Sequence, residues 1–185
     1  MEPVEAIAVA AGAVYILLAI RQRRACWIAG GASTALYSVV FLQAGLPLQA
    51  ALQVLYVALS AYGWIAWRPG GAAPPRPGRW PLRHHLMALA AVGLATVAST
   101  ALLERLAPSS APLADALGTW ASVVATWLLA RRIADNWLWW IAVDTGLAAL
   151  FASQGLVGTG ALYLAYAALA VVGWRSWRRS MAVAA

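Results

Sequence analysis

The chain has 185 residues, of which 63% are hydrophobic and only 10% charged, with a net charge of +7. A soluble domain carries about 25% charged residues, so a water-exposed globule is excluded. The mean hydropathy of +0.74 agrees with the sequence pattern, in which charge clumps between apolar runs of about 18–22 residues, each long enough to cross a bilayer. Strand-length segments of alternating polarity, the mark of a membrane barrel, are missing from the sequence.

The apolar pattern predicts seven spans, at about 3–20, 25–43, 48–67, 86–103, 113–130, 136–153 and 157–174. The first opens MEPVE, acidic where a cleavable signal needs positive charge, and runs into RQRR without a small-residue cleavage site. It is expected to stay as a helix. Cys26, at the start of the second span, is the single cysteine; it allows no internal disulfide, and a cytoplasmic border suits a reduced thiol. In the third span Gln49, Gln53, Tyr56 and Ser60 recur on one helix face. RPGGAAPPRPGRWPLRHH (68–85) follows, and its Pro and Gly forbid helix. His84 and His85 at its end are expected to be solvated or interfacial. The fourth span reads as a linker helix. In the fifth, Asp115, Thr119, Ser122 and Thr126 repeat the one-face spacing. The sixth, NWLWWIAVDT at its start, places Asn136, Trp140 and Asp144 on one face, with Trp137 beside them. Trp139 reads as an interfacial belt residue, as do Trp64, Trp67, Trp174 and Trp177.

All 13 basic residues are arginine, and all but Arg105 follow odd-numbered spans. Positive charge stays in the cytoplasm, so the N-terminus is expected outside and the C-terminus inside. The pI near 10.5 then reports topology and contact with anionic lipid rather than nucleic acid, because no soluble domain carries the charge.

An internal repeat runs at an offset of 110. Residues 45–68 lie over 155–178 without a gap and are identical at 11 of 24 positions, including Tyr56/Tyr166, Gly63/Gly173, Trp64/Trp174, Trp67/Trp177 and Arg68/Arg178. The same offset pairs Trp27 with Trp137 and Gln53 with Tyr163. Ala and Leu matches are cheap in membrane helices; a gapless Gly-Trp-x-x-Trp-Arg ending is not. The expected organisation is a first three-helix repeat (1–68), a cytoplasmic linker with helix four (69–112) and a second three-helix repeat (113–185). Three helices plus one leave both copies facing the same way, and transporters built on such parallel repeats bind substrate near the midplane.

Polar groups inside a span are costly unless they meet a partner or a water-filled cavity. Ser and Thr are explained by interhelical hydrogen bonds. Gln53 and Asp144 are not so easily explained: Asp144 lies about 12 Å along its helix from the cytoplasmic end. With Trp140 one turn away, the pair suits a flat, cationic solute that can hydrogen-bond.

These segments resemble the PnuC transporters of nicotinamide riboside and related vitamin precursors. The specific elements are Asn-Trp-x-x-Trp-x-x-x-Asp (Asn136, Trp137, Trp140, Asp144) and Leu-Gln-x-x-Tyr (Leu52, Gln53, Tyr56). The resemblance implies a seven-helix, all-α membrane protein of 3+1+3 parallel repeats, similar to fused SWEET-type units, assembled as a homotrimer in the bacterial inner membrane. It implies facilitated diffusion drawn inward by phosphorylation in the cell, and a pocket at the repeat interface. The substrate-binding set carried over is Gln53, Tyr56, Thr119, Ser122, Asn136, Trp137, Trp140 and Asp144, with Tyr163 as the repeat counterpart of Gln53. Thr126 stands where the family pattern has Gln, which leaves thiamine and riboflavin as alternative solutes. No cofactor is implied.

Two other classes compete. An intramembrane enzyme needs a Ser–His pair or two aspartates at one depth, and Asp115 and Asp144 lie at different depths. A structural membrane protein would use its polar stripes only to hold helices together. A retinal protein is excluded, because the chain has no lysine; one Cys and two adjacent His make no metal site.

Overall fold

The computed structural model describes residues 3–43, 47–68, 76–106 and 112–182, and within them seven helices. They are α1 (Pro3–Ile20), α2 (Cys26–Gln43), α3 (Pro47–Ala66), α4 (Leu82–Leu106), α5 (Pro112–Ala130), α6 (Asn136–Ser153) and α7 (Val157–Ala182). Gly45 and Leu46 of the repeat, residues 69–75 of the linker and the side chains of Arg105 and Asp115 lie outside the described residues. Three helices start on proline, at Pro3, Pro47 and Pro112, where the missing N–H costs nothing. Among the described residues four helices are long and apolar enough to cross a membrane: α2, α3 from Gln49, α4 and α7. Large apolar side chains point outward along the bundle, among them Leu94 at 74% and Val157 at 70% exposure, as lipid solvation requires.

The turns after α1 and α5 are the same structure 110 residues apart. Gln22 and Arg132 both have φ of 54°, a left-handed conformation rare outside glycine. In the first turn the N–H of Arg23 reaches Leu18 O at 2.9 Å and that of Gln22 reaches Ala19 O at 3.0 Å. In the second, Ile133 N–H reaches Leu128 O and Arg132 N–H reaches Leu129 O, both at 2.9 Å. Each is a Schellman ending that satisfies the last helical carbonyls. α6 closes the same way around Gly155, φ +78°.

The chain divides into two compact units. The first holds residues 1–77, 129–132 and 176–185. In it α2 packs against both α1 and α3. Close approach is licensed by small residues: a Cβ on Gly63 would stand 2.3 Å from the Trp27 ring, and Gly31 faces Ser60. Trp67 and Trp177 are buried at 2% and 0% exposure, with centroids 6.0 Å apart. They cap helix ends crosswise: Trp67 Nε1 donates to Ala130 O at 3.0 Å and Trp177 Nε1 to Ala19 O at 3.1 Å. Neither is the belt residue that its position suggested. Arg132 lies over the Trp67 ring, 4.2 Å from its centroid. Desolvation lowers the pKa of this guanidinium from its ordinary value.

The second unit holds residues 78–128 and 133–175. Here the linker docks onto the turn before α6. Ala134 N–H donates to Gly78 O at 2.8 Å, beside a bridge between Gly78 and Ile133. Asp135, 1% exposed, accepts from the Trp80 N–H at 2.8 Å, from Arg79 Nε at 3.2 Å and from His85 Nε2 at 3.4 Å. The other nitrogen of His85 accepts from Trp139 Nε1 at 3.2 Å, so this neutral ring carries its proton on Nε2. His85 is therefore a packed bridge in the first turn of α4, not a solvated linker residue, and Trp139 is turned inward at 9% exposure.

Candidate functional site

In the second unit, α6 sets the chemistry. Asp144 is 6% exposed and makes no hydrogen bond or ion pair among the described residues. Tyr166 of α7 is close enough to interact with its charge. Tyr166 in turn meets Tyr163 edge to face at 5.9 Å, and Tyr163 stacks on Phe151 at 5.3 Å and 25°. An isolated carboxylate and an aromatic row thus lie along α6 and α7. Trp140, half-buried and one turn before Asp144, packs against the core cluster of Val92, Ala121, Ala125, Leu128, Trp139 and Val143.

The other expected residues divide by what already engages them. Asn136 is fully buried; its Nδ2 donates to Ile133 O at 2.6 Å, and its Oδ1 has no hydrogen-bond partner among the described residues. Trp137 sits where a Cβ on Gly173 would meet its ring at 2.6 Å, the counterpart of Trp27 on Gly63. Both residues are thus held at the entry to α6. Thr119 and Ser122 are half-buried on α5, and the hydroxyl of Thr126 turns back to Ser122 O at 2.8 Å, a bond within its own helix. Gln53 and Tyr56 are half-buried on α3 of the first unit. Tyr166 was legible as the repeat counterpart of Tyr56, but only the structure puts it beside Asp144.

A cavity of about 310 Å³ opens between α4, α5 and α6 of the second unit. Leu89, Leu117, Val143, Leu147 and Leu150 are among its lining, none of the nine expected residues is, and the indole N–H of Trp139 is already taken by His85. Such a wall suits no polar solute, so it is not the site.

A multi-helix membrane protein holding an unpaired carboxylate beside aromatic rings on an apolar helix is built like those that handle small polar solutes. The family model described as "Nicotinamide mononucleotide transporter" matches residues 2–179, and the chain belongs to that family of membrane transporters. The chain is 28% identical, over a 204-residue alignment, to the nicotinamide riboside transporter PnuC of Escherichia coli (strain K12), covering 96% of this chain and 85% of that one. It is 32% identical over 133 residues to the riboflavin/roseoflavin transporter RibM of Streptomyces davaonensis, covering 68% of this chain and 61% of the relative. The crystal structure of the vitamin B3 transporter PnuC superposes with a TM-score of 0.73 at 22% identity, over 95% of this chain and 80% of that one, which fixes the fold.

Proposed function

We propose that this transporter carries nicotinamide riboside into the cell across the bacterial inner membrane, by facilitated diffusion made directional by phosphorylation of the solute inside. The observation that carries the reading is Asp144, buried on the apolar helix α6 with no cation paired to it among the described residues. Nicotinamide riboside brings a pyridinium cation, which a carboxylate and an indole face both attract, the latter by about 0.5–2 kcal/mol. Asp144 and Trp140 meet the pyridinium, and Tyr163, Thr119 and Ser122 offer hydrogen bonds to the sugar and amide. Asn136 and Trp137 hold the start of α6 in place.

The chain is read as 3+1+3 parallel repeats bounded at 1–68, 69–112 and 113–185, with the N-terminus outside. The matching turns at Gln22 and Arg132 and the matching Trp27–Gly63 and Trp137–Gly173 contacts support the duplication. The distribution of arginine supports the orientation. Assembly as a homotrimer, contacting lipid, rests on the family resemblance.

Riboflavin is the second candidate, on the likeness to RibM. Intrinsic tryptophan fluorescence of the purified protein separates the solutes. Saturable quenching by nicotinamide riboside, weakened in Trp140→Ala, is the expected result. Saturation by riboflavin or thiamine alone would move the chain to that solute, and no response to any of the three would refute the transport site.

A further inference from the structure

In the first repeat the ends of α2 and α3 are joined by an arginine of that repeat. Arg24, in the turn before α2, lies over the Trp64 ring of α3 at 3.5 Å from its centroid, and its Nε donates to Trp64 O at 2.8 Å. Shifted by 110 residues, Trp64 becomes Trp174 of α7, but Arg24 becomes Ala134. The second repeat keeps the ring and lacks the arginine.

The linker supplies one. Arg79 stands 5.8 Å from the Trp174 centroid, within range of a cation–π attraction, and its Nε donates to the Asp135 carboxylate at 3.2 Å. Asp135 itself has no counterpart in the first repeat, where Ala25 holds its position. Ala134 is fully buried, and its N–H holds Gly78 O, one residue before Arg79. Arg79 thus joins the residue before α6 to α7, the two helices that carry the carboxylate and the aromatic row. The Trp137–Gly173 contact beside this tie sets how closely the helices approach. Apolar contact is non-directional and tolerates sliding, whereas a hydrogen bond to a fixed carboxylate resists it. Asp144 lies nine residues beyond Asp135, and Tyr166 eight before Trp174, so each is about 12–14 Å along its helix from the tie. A change of angle at Arg79 is therefore felt as a displacement of the carboxylate relative to the phenols.

We propose that Arg79 is a positioning residue for the solute site: by joining Asp135 to Trp174 it holds Asp144 and Trp140 of α6 in register with Tyr163 and Tyr166 of α7. The proposal rests on the transport reading above and gives the linker a part in solute binding. It also accounts for the exchange of Arg24 for Ala134 between the repeats, because the second repeat receives its arginine from outside.

Isothermal titration of the purified full chain tests it, with nicotinamide riboside, or with riboflavin or thiamine if wild type takes one of those instead. Wild type, Arg79→Ala, Trp174→Leu and the double variant are compared, with the unfolding midpoint and trypsin cleavage after Arg83 followed in parallel. Asp135 keeps its bonds from Trp80 N–H and His85, so in Arg79→Ala the linker should stay docked and both parallel readouts should match wild type. The Arg79 side chain is 63% exposed, and a contact so screened shifts an equilibrium about two- to fivefold; solute binding should weaken by that factor. Trp174→Leu should weaken binding similarly and the double variant no further, since both remove one contact. Wild-type affinity in Arg79→Ala, losses that multiply in the double variant, or a loss in Arg79→Ala that comes with a lower midpoint or faster cleavage would overturn the role of Arg79 and leave the transport reading in place. Absence of binding by wild type to any of the three solutes would remove both.

Discussion

Replacing Gly63 or Gly173 with alanine should strain the two matching tryptophan contacts. The new methyl would stand 2.3 Å from the Trp27 ring in one case and 2.6 Å from the Trp137 ring in the other, well inside van der Waals contact. Neither ring has room to retreat: they are 2% and 4% exposed, and Trp27 is backed by Trp67 edge-on at 5.5 Å. Overpacking of this kind costs about 1–3 kcal/mol, with the upper end expected where the obstacle is a rigid ring. Alanine recovers up to about 1 kcal/mol of helix propensity over glycine. The net loss is then about 2 kcal/mol, or roughly 4–8 °C in the unfolding midpoint for a chain of this size. Scanning fluorimetry in one detergent would read it, with Gly93→Ala as the control, because nothing lies within 4 Å of a Cβ there. Trp27→Leu should restore part of the loss in Gly63→Ala by vacating the space. Midpoints for Gly63→Ala and Gly173→Ala equal to that of Gly93→Ala would refute the packing argument.

The linker dock should depend on Asp135. Its pair with Arg79 is screened, since the arginine side chain is 63% exposed, so the main loss in Asp135→Ala is the unpaired Trp80 N–H and His85, about 2–3 kcal/mol. Limited trypsin digestion should then cut faster after Arg79 and Arg83 than in wild type; an unchanged rate would mean that the dock is not held by this carboxylate. Trp67→Phe and Trp177→Phe each remove one indole N–H from a buried helix end and should each cost about 1 kcal/mol. Because the two rings touch, their combined effect on the unfolding midpoint should depart from the sum, and strict additivity would argue against a shared cap. Asp144→Asn should abolish most nicotinamide riboside uptake while the unfolding midpoint holds or rises, because a neutral amide is less costly to bury than an unpaired carboxylate. A folded Asp144→Asn protein with wild-type uptake would contradict the role assigned to that residue.

The helices were legible because apolar runs of this length are set by bilayer thickness, and α6 falls on the expected residues 136–153, though among the described residues only α2, α3, α4 and α7 are long and apolar enough to cross a membrane. α4 and α7 are longer than expected, starting at Leu82 and running to Ala182. Hydropathy marks where the membrane stops, whereas a helix continues through Arg-rich sequence as long as its charges are solvated. Asp144 stood out because a charge deep in an apolar run is rare. Trp67 and Trp177 are turned onto neighbouring helix ends rather than toward lipid, a distinction that composition does not encode. The Asp135–His85–Trp139 bridge joins residues about 50 apart in sequence, and no local periodicity encodes it.

The most direct measurement is uptake of labelled nicotinamide riboside into liposomes containing only the purified protein. Facilitated diffusion through the Asp144 site predicts saturable entry that stops when the inner and outer concentrations are equal, needs no ion gradient, and is lost in Asp144→Asn. Continued accumulation above the outer concentration on an imposed proton or sodium gradient would contradict facilitated diffusion. Entry no faster than in protein-free liposomes, from protein that is folded, would contradict nicotinamide riboside as the solute.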